Sequence, residues 1–478
     1  MKNSLLFLLI TSFFVAKADQ NFQLRSILTY SQNLSDVWGY VSPSGKEYAL
    51  VGVFNGVSVV DVSNADNISE VSFHGGDQST WRDLKTWDHY AYISNESGGG
   101  IMIIDLDDVD NGNTTVSCFN GNGGVNFSTA HNIFVDEFGV LYVISSSFNS
   151  SGIQMFDLTA DPLNPPHLGN YQGGGMHDAY ARDNILYTSE LGSGLRIVDV
   201  TDKSNPILLG VTSTPSNFTH NAWLSDDGNT VFTTDEVEGA FITSYDISDP
   251  SDINELDRIQ SNPGSGVIPH NTHVLNDFLI TSYYADGVTI VDASRPDILI
   301  QTGDYDTSPA TGGGFPGCWG AYPFLPSGNI LATDQSEGLF VLTPTYTRAS
   351  YLEGNIVDAD SNTPLQDVEI EILSQNTTTY SSITGDYATG LAGSGNFSIR
   401  FSKFGYEPQI IDNVSLTSGN TTILNVEMII PANAFTLNGV VKDLMSGNVL
   451  PNAKVLIENN DISIELTTDA NGLYSMAA

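Results

Sequence analysis

The sequence predicts an all-β chain: a seven-bladed β-propeller, then a β-sandwich, then a partial second copy of that sandwich. Three observations carry this. A phrase of Gly, alternating apolar residues and Asp recurs as GVSVVDV from Gly56, GIMIIDL from Gly100, GIQMFDL from Gly152, GLRIVDV from Gly194, AFITSYDI from Ala240 and GVTIVDA from Gly287. A degenerate GLFVLTP follows from Gly338. The Asp residues of the phrase, Asp61, Asp105, Asp157, Asp199, Asp246 and Asp292, stand 44, 52, 42, 47 and 46 apart, the period of a four-stranded blade. Beyond Tyr351 a different repeat begins: Gly354, Asp358, Leu365 and Ile372 return 85 residues later as Gly439, Asp443, Leu450 and Ile457.

Taken in order, residues 1–18 read as a signal peptide, with Lys2, an apolar run from Leu5 to Val15 and Ala16-Lys17-Ala18 before Asp19. Residues 19–347 are assigned to the propeller, 349–431 to the sandwich and 435–478 to the partial copy. The fourth repeat shows the grammar of a blade. Strand one opens at Met176-His177-Asp178 and strand two is Ile185 to Ser189, ending at Glu190. Strand three is Leu195 to Val200, and strand four Ile207 to Val211 follows the turn Thr201 to Pro206. Asp side chains ahead of such turns are expected to close them on the backbone. The last repeat lacks a fourth strand, and Phe22 to Tyr30 is expected to supply it and close the ring, leaving no open sheet edge. The second sandwich copy stops before its core can close, so the sequence is expected to be a truncated record of a longer protein.

Charge narrows the partners. Sixteen Lys+Arg against 56 Asp+Glu give a formal net charge of −40, which excludes nucleic acid and anionic membranes as natural partners. After the signal peptide nothing is long and apolar enough to span a bilayer. A secreted, cell-surface-associated protein is expected, with its anchor or sorting signal missing from this chain. Cys118, in an outer strand, and Cys318, at the inner start of the seventh repeat, are too far apart for a disulfide. Asn-x-Ser/Thr sequons occur at Asn67, Asn113, Asn149, Asn217 and Asn396, among others.

Four histidines occupy one repeat position, each followed by an amide or carboxyl residue: His131-Asn132, His177-Asp178, His220-Asn221 and His270-Asn271. Each His lies 22 or 26 residues before the Asp of its blade. Trp38 and Trp319, both followed by Gly, and Asp83 are placed near the same position in other blades. The ends of strand two bring Glu96, Glu190, Asp235 with Glu236, and Asp334 with Glu337 to the same face. Two readings stand side by side. In one, each His-Asn/Asp pair ties neighbouring blades. In the other, the pairs form a ligand-binding face, with His177, His220, Glu190 and Glu236 as candidate metal ligands. The ion would be calcium or a transition metal. The run from Asp105 to Gly112 is rich in Asp but fails the EF-hand spacing. No hydrolase, P-loop or dinucleotide motif is present.

The phrases Ser35-Asp36-Val37-Trp38-Gly39-Tyr40 and Gly317-Cys318-Trp319-Gly320, with the His-Asn pairs and the Gly-x-x-Ile/Val-Val-Asp repeats, resemble the choice-of-anchor B family of LVIVD-repeat propellers. That resemblance implies an exported protein with a variable C-terminal anchor and no established catalytic residues. Leu352 to Ile430 resembles carboxypeptidase regulatory-like domains, through its Gly-x-Ile-Val-x-Asp start, Pro364-Leu365 and Thr384 to Tyr387. This implies an accessory sandwich of carbohydrate-binding-like fold. The function expected is non-catalytic binding of an extracellular ligand, glycan or surface protein. A metal-dependent hydrolase or lyase at the same mouth is the alternative, and a structural surface-layer role a third.

Overall fold

The structure is a computed structural model that describes residues 20–375, 377–431, 436–458 and 463–477. The segment read as a signal peptide, residues 1–18, lies outside the described residues. The chain divides into two compact units, Met1–Thr347 and Arg348–Ala478.

In the first unit the described residues form seven four-stranded antiparallel sheets. Numbered by their first strands, these strands are Leu34–Val41, Leu84–Trp87, Ala130–Val135, Asp178–Arg182, Thr219–Leu224, Thr272–Leu275 and Cys318–Tyr322 for sheets 1 to 7. Each first strand packs against the first strand of the next sheet, and that of sheet 7 packs against that of sheet 1, so the sheets form a closed ring. The recurrent apolar phrase is the third strand of each sheet, as in Gly152–Asp157 and Leu195–Asp199. It is largely apolar on both faces because the cores lie between sheets and both faces of each sheet are covered. Ile153 and Met155 of sheet 3, for example, share one core with Leu186 and Ile197 of sheet 4 and Val231 and Tyr245 of sheet 5.

The closing strand is Phe22–Leu28, which pairs antiparallel with Gly338–Pro344 as the fourth strand of sheet 7. The last edge of the ring is thus covered by residues more than three hundred positions away.

All six repeat Asp residues close the turn after strand three. The Oδ1 atoms of Asp61, Asp105, Asp157, Asp199, Asp246 and Asp292 accept from the backbone N–H two residues on, at 2.8–3.1 Å. These turns also join the sheets. A Cβ added at Gly169, in the fourth strand of sheet 3, would lie 1.8 Å from the carbonyl oxygen of Lys203 in the turn of sheet 4. Gly210 of sheet 4 stands in the same relation to Pro250 in the turn of sheet 5, again at 1.8 Å. Glycine is needed there for close approach of backbone to backbone. The run from Asp105 to Gly112 spends its carboxylates internally: Asp105 on the Asp107 N–H, Asp108 on Asn111 and Asn113, Asp110 on the Tyr48 hydroxyl. Cys118 is exposed and Cys318 buried, both as free thiols.

The second unit contains two four-stranded sheets. In one, Ala349–Asp358 pairs with Asp386–Ala392 and, in parallel, with Thr421–Ile423 and Val426–Met428. The other has the order Thr377–Tyr380, Glu369–Ile372, Gly395–Ser402, Gln409–Leu416. Leu352, Ile356, Ile370, Ile399 and Phe401 belong to their shared core. The partial copy repeats two of these pairings, Thr436–Val440 with Leu473–Ala477 and Lys454–Glu458 with Ser463–Thr467. Asp443 accepts from the Ser446 N–H at 2.7 Å as Asp358 does from Ser361, so the internal repeat extends to its turns.

Because Gly210 has an ordinary backbone conformation, its substitution tests packing alone. Gly210→Ala is expected to destabilise the first unit by about 1–3 kcal/mol, the usual cost of overpacking, measured by urea unfolding. An unchanged midpoint would show that the turns of one sheet do not bear on the next.

Candidate functional site

Each sheet begins with a four-residue unit: Ser35-Asp36-Val37-Trp38, Arg82-Asp83-Leu84-Lys85, His131-Asn132-Ile133-Phe134, His177-Asp178-Ala179-Tyr180, His220-Asn221-Ala222-Trp223, His270-Asn271-Thr272-His273 and Trp319-Gly320-Ala321-Tyr322. From Arg82 onward the first position lines a mouth cavity of about 270 Å³, together with Trp81, Glu236, Tyr284 and Phe315. The second position, Gly320 apart, forms a buried polar tier beneath it, and the fourth, Lys85 apart, an aromatic tier below that. Adjacent residues of a regular strand point to opposite faces. In sheets 5 and 7 a β-bulge falls on His220 and Trp319 and lets two consecutive side chains serve the channel.

The second position is the inter-sheet tie. Asp178 Oδ1 accepts from Asn132 Nδ2 of sheet 3 at 2.9 Å, and Oδ2 from Asn221 Nδ2 of sheet 5 at 2.8 Å. Asn221 Oδ1 in turn accepts from the Thr272 N–H of sheet 6 at 3.0 Å. Burial, with the nearby Asp83 charge adding, pushes the Asp178 carboxyl up to about 6. Lys85, buried between charges, forms an ion pair with Asp83 and sits 4.4 Å over the Trp38 ring. Burial alone would lower the Lys85 pKa, but the Asp83 and Asp36 carboxylates outweigh it and hold it above its ordinary value.

The first position is the mouth. His131 Nε2 faces His177 Nε2 at 2.9 Å, and His220 Nε2 lies 3.3 Å and His270 Nε2 3.8 Å from the Glu236 carboxylate. Three of the other ring nitrogens are taken up outside the cavity. His131 Nδ1 meets Glu96 Oε1 at 2.5 Å, while His177 Nδ1 and His270 Nδ1 meet the carbonyl oxygens of His220 and Trp319 at 3.3 and 2.6 Å. A carbonyl can only accept, so His177 and His270 carry their protons on Nδ1 and aim Nε2 lone pairs inward. Burial first, then neighbouring imidazoles, holds His177 well below the usual range and pushes His220 and His270 down to about 3. The imidazoles of His177, His220 and His270 are therefore neutral at pH 7. His177, His220 and Glu236 each offer a ligand atom, all within 4.8 Å of one another.

Not every residue read onto this face arrives there. Trp38 belongs to the fourth position, where it packs on Tyr322 at 4.8 Å and His273 at 6.1 Å, so it lies three residues from the Trp319 position. Glu190, read as a metal ligand, is fully buried, accepts from the Gly174 N–H at 2.5 Å and pairs with Arg196 at 3.3 Å. Asp235 accepts from the Ser216 N–H, and Asp334 from the Thr307 hydroxyl and the Ser336 N–H. By strand register these three acids are equivalent, since Ser189, Thr234 and Thr333, which precede them, face Asp178, Asn221 and Gly320. They hold the loop that leads into their own sheet. One residue further on, Glu96 and Glu236 meet histidines of the mouth. Tyr284, in the same structural place in sheet 6, donates its hydroxyl proton to Glu236. Arg82, Trp81, Tyr284 and Phe315 were not picked out from the sequence. The repeat position of Arg82, directly before Asp83, is the signal that marks it. Trp81 stacks on Trp319 with centroids 4.5 Å apart.

Residues 40–73 and 176–214 match the LVIVD repeat, and residues 351–429 match the carboxypeptidase regulatory-like domain. The second LVIVD match spans the whole of sheet 4. No curated protein matches the chain.

Two outcomes are expected. Asp178→Ala leaves two buried amides without their acceptor and should cost about 2–6 kcal/mol at 1–3 per group, read by urea unfolding; a cost under 1 kcal/mol would contradict the tie. His273 lies outside the mouth, and burial first, then Lys85, pushes it down to about 3. Its unfolded form takes up a proton near pH 6.5, so it contributes stability that is present above pH 6.5 and lost as pH falls toward 3. His273→Phe should remove up to about 1.4 kcal/mol per pH unit of slope across that window, read from unfolding free energies at successive pH values. A slope equal to that of the wild type would contradict this assignment.

Proposed function

We propose that this chain is an exported, surface-associated propeller protein of the choice-of-anchor B type, whose mouth binds a small extracellular ligand without turnover. The LVIVD repeats and the carboxypeptidase regulatory-like domain support a propeller protein of surface type. Export is supported by the signal-peptide pattern of residues 1–18 and by the net charge of −40. Among the described residues no helix is long and apolar enough to cross a membrane.

One observation carries the ligand reading. Around the mouth, Arg82 Nη1 and Asn271 Oδ1 are buried without a hydrogen-bond partner, beside aromatic rings that offer apolar surface. Unsatisfied buried polar atoms cost about 1–3 kcal/mol each, and a ligand supplying partners would relieve that cost. A cavity of about 270 Å³ admits a small molecule, a single sugar or the end of a chain. A metal-dependent hydrolase or lyase draws support from the approach of His177, His220 and Glu236 to one another.

The test is ligand-observed NMR on the full chain with monosaccharides, amino sugars and small carboxylates. At least one compound should bind the wild type, and bind Trp319→Ala and Phe315→Ala at least tenfold more weakly. Phe315 is half-exposed, so its removal leaves the fold intact. Absence of binding throughout, or binding undiminished in both variants, would contradict the proposal. Turnover of a bound compound would favour the enzyme.

A further inference from the structure

We propose that the mouth holds one divalent transition-metal ion of the zinc class, ligated by Nε2 of His177 and His220 and by the Glu236 carboxylate, with Nε2 of His131 as a further ligand. The inference rests on the mouth being a binding site and names what binds first.

Four features of the geometry converge on it. The three donor atoms lie within 4.8 Å of one another, and two ligands of a zinc ion stand at most about 4.4 Å apart, twice a bond of 2.0–2.2 Å. Small side-chain rotations close the difference. The outer shell has the form that metal-ligating imidazoles require: His131 Nδ1 on the Glu96 carboxylate, His177 Nδ1 on the His220 carbonyl, and Glu236 fixed by the Tyr284 hydroxyl.

The third feature is the His131–His177 contact. His177 spends its proton on the His220 carbonyl, so its Nε2 presents a lone pair to His131 Nε2 at 2.9 Å. With His131 Nδ1 donating to Glu96, two lone pairs face each other and a cation must join them. That cation is either a proton shared with the Glu96 pair or a metal ion. Beside the contact, His220 and Glu236 supply the remaining ligands that a metal ion needs and a proton does not.

The fourth is the donor set. Imidazole with carboxylate suits zinc, iron, nickel or copper, whereas calcium takes oxygen ligands alone.

The experiment is metal analysis by mass spectrometry on the full chain, exposed in parallel to Zn²⁺ and to Ca²⁺ and then dialysed. The wild type should retain one equivalent of zinc and no calcium that depends on the mouth residues. His177→Gln, His220→Gln and Glu236→Gln should each weaken zinc binding more than tenfold, and Glu96→Gln by 10–100-fold. His273→Gln, outside the mouth, should retain the full equivalent. Thermal melting checks that each variant is folded. If a variant fails to fold, competition between zinc and a chelating dye on the wild type and Glu96→Gln gives the same comparison. Sub-stoichiometric zinc in the wild type would overturn the proposal. So would zinc undiminished in the three ligand variants, which would mark it as adventitious binding to an acidic surface. If chelator-treated protein carries no metal yet still binds the small compounds of the NMR test, the metal centre fails and the ligand reading survives.

Discussion

A carboxylate buried in the centre of the ring, Asp178, accepts one amide from the sheet before it and one from the sheet after it. The position of three histidines follows from that arrangement. His131, His177 and His220 each immediately precede a member of the Asn132–Asp178–Asn221 relay, so the hydrogen bonds that fix the relay also fix the strand starts that carry the imidazoles. A buried carboxylate is costly unless its oxygens are satisfied. Two side-chain amides and the Ala179 N–H supply the partners, and the relay is thereby held to one geometry.

Each His-Asn/Asp pair therefore divides its labour. In the pairs of sheets 3, 4 and 5 the second residue ties sheets together and the first faces the mouth. Of the two readings of the sequence, the inter-sheet tie is realised on the second residue, and the ligand face is the role proposed for the first. At His220 the division depends on the bulge in the strand start, since a regular strand would send one of the two side chains away from the channel. Electrostatics separates the tiers further. The second tier collects the carboxyl groups of Asp36, Asp83 and Asp178, with Lys85 of the fourth position against them, while burial keeps the imidazoles of His177, His220 and His270 uncharged. Neutral imidazoles amid fixed carboxylates are donors of electron pairs, which is the chemistry a metal ion or a polar ligand can use.

The ring was legible because its signals are periodic and local. The Gly-to-Asp phrase writes strand three and its turn in one stretch, and every one of the six Asp side chains closes that turn. The closing strand was legible from arithmetic, one sheet being short of a strand and one strand short of a sheet. Side-chain assignment at the mouth was harder, because it turns on offsets of one to three residues. Glu190 and Glu236 both follow strand two, yet Glu190 sits one register position earlier and is drawn to the Gly174 N–H and Arg196. Trp38 and Trp319 both precede Gly, but the shared Trp-Gly pairs belong to different positions of the four-residue unit. Aligning Asp36 with Asp83 and Asp178 corrects this. Tyr284 carries no motif, and its place at the mouth comes only from the closure of the ring, whereas Arg82 is marked by its place before Asp83.

The central claim is that imidazole lone pairs converge on the mouth because their protons are spent outside it. Nitrogen-15 NMR of the histidine rings in metal-free protein at pH 7 reads the tautomers directly. The account predicts neutral rings protonated on Nδ1 at His177 and His270, each with a bare Nε2. Rings protonated on Nε2 at these two positions would place hydrogen-bond donors in the mouth, and would contradict it.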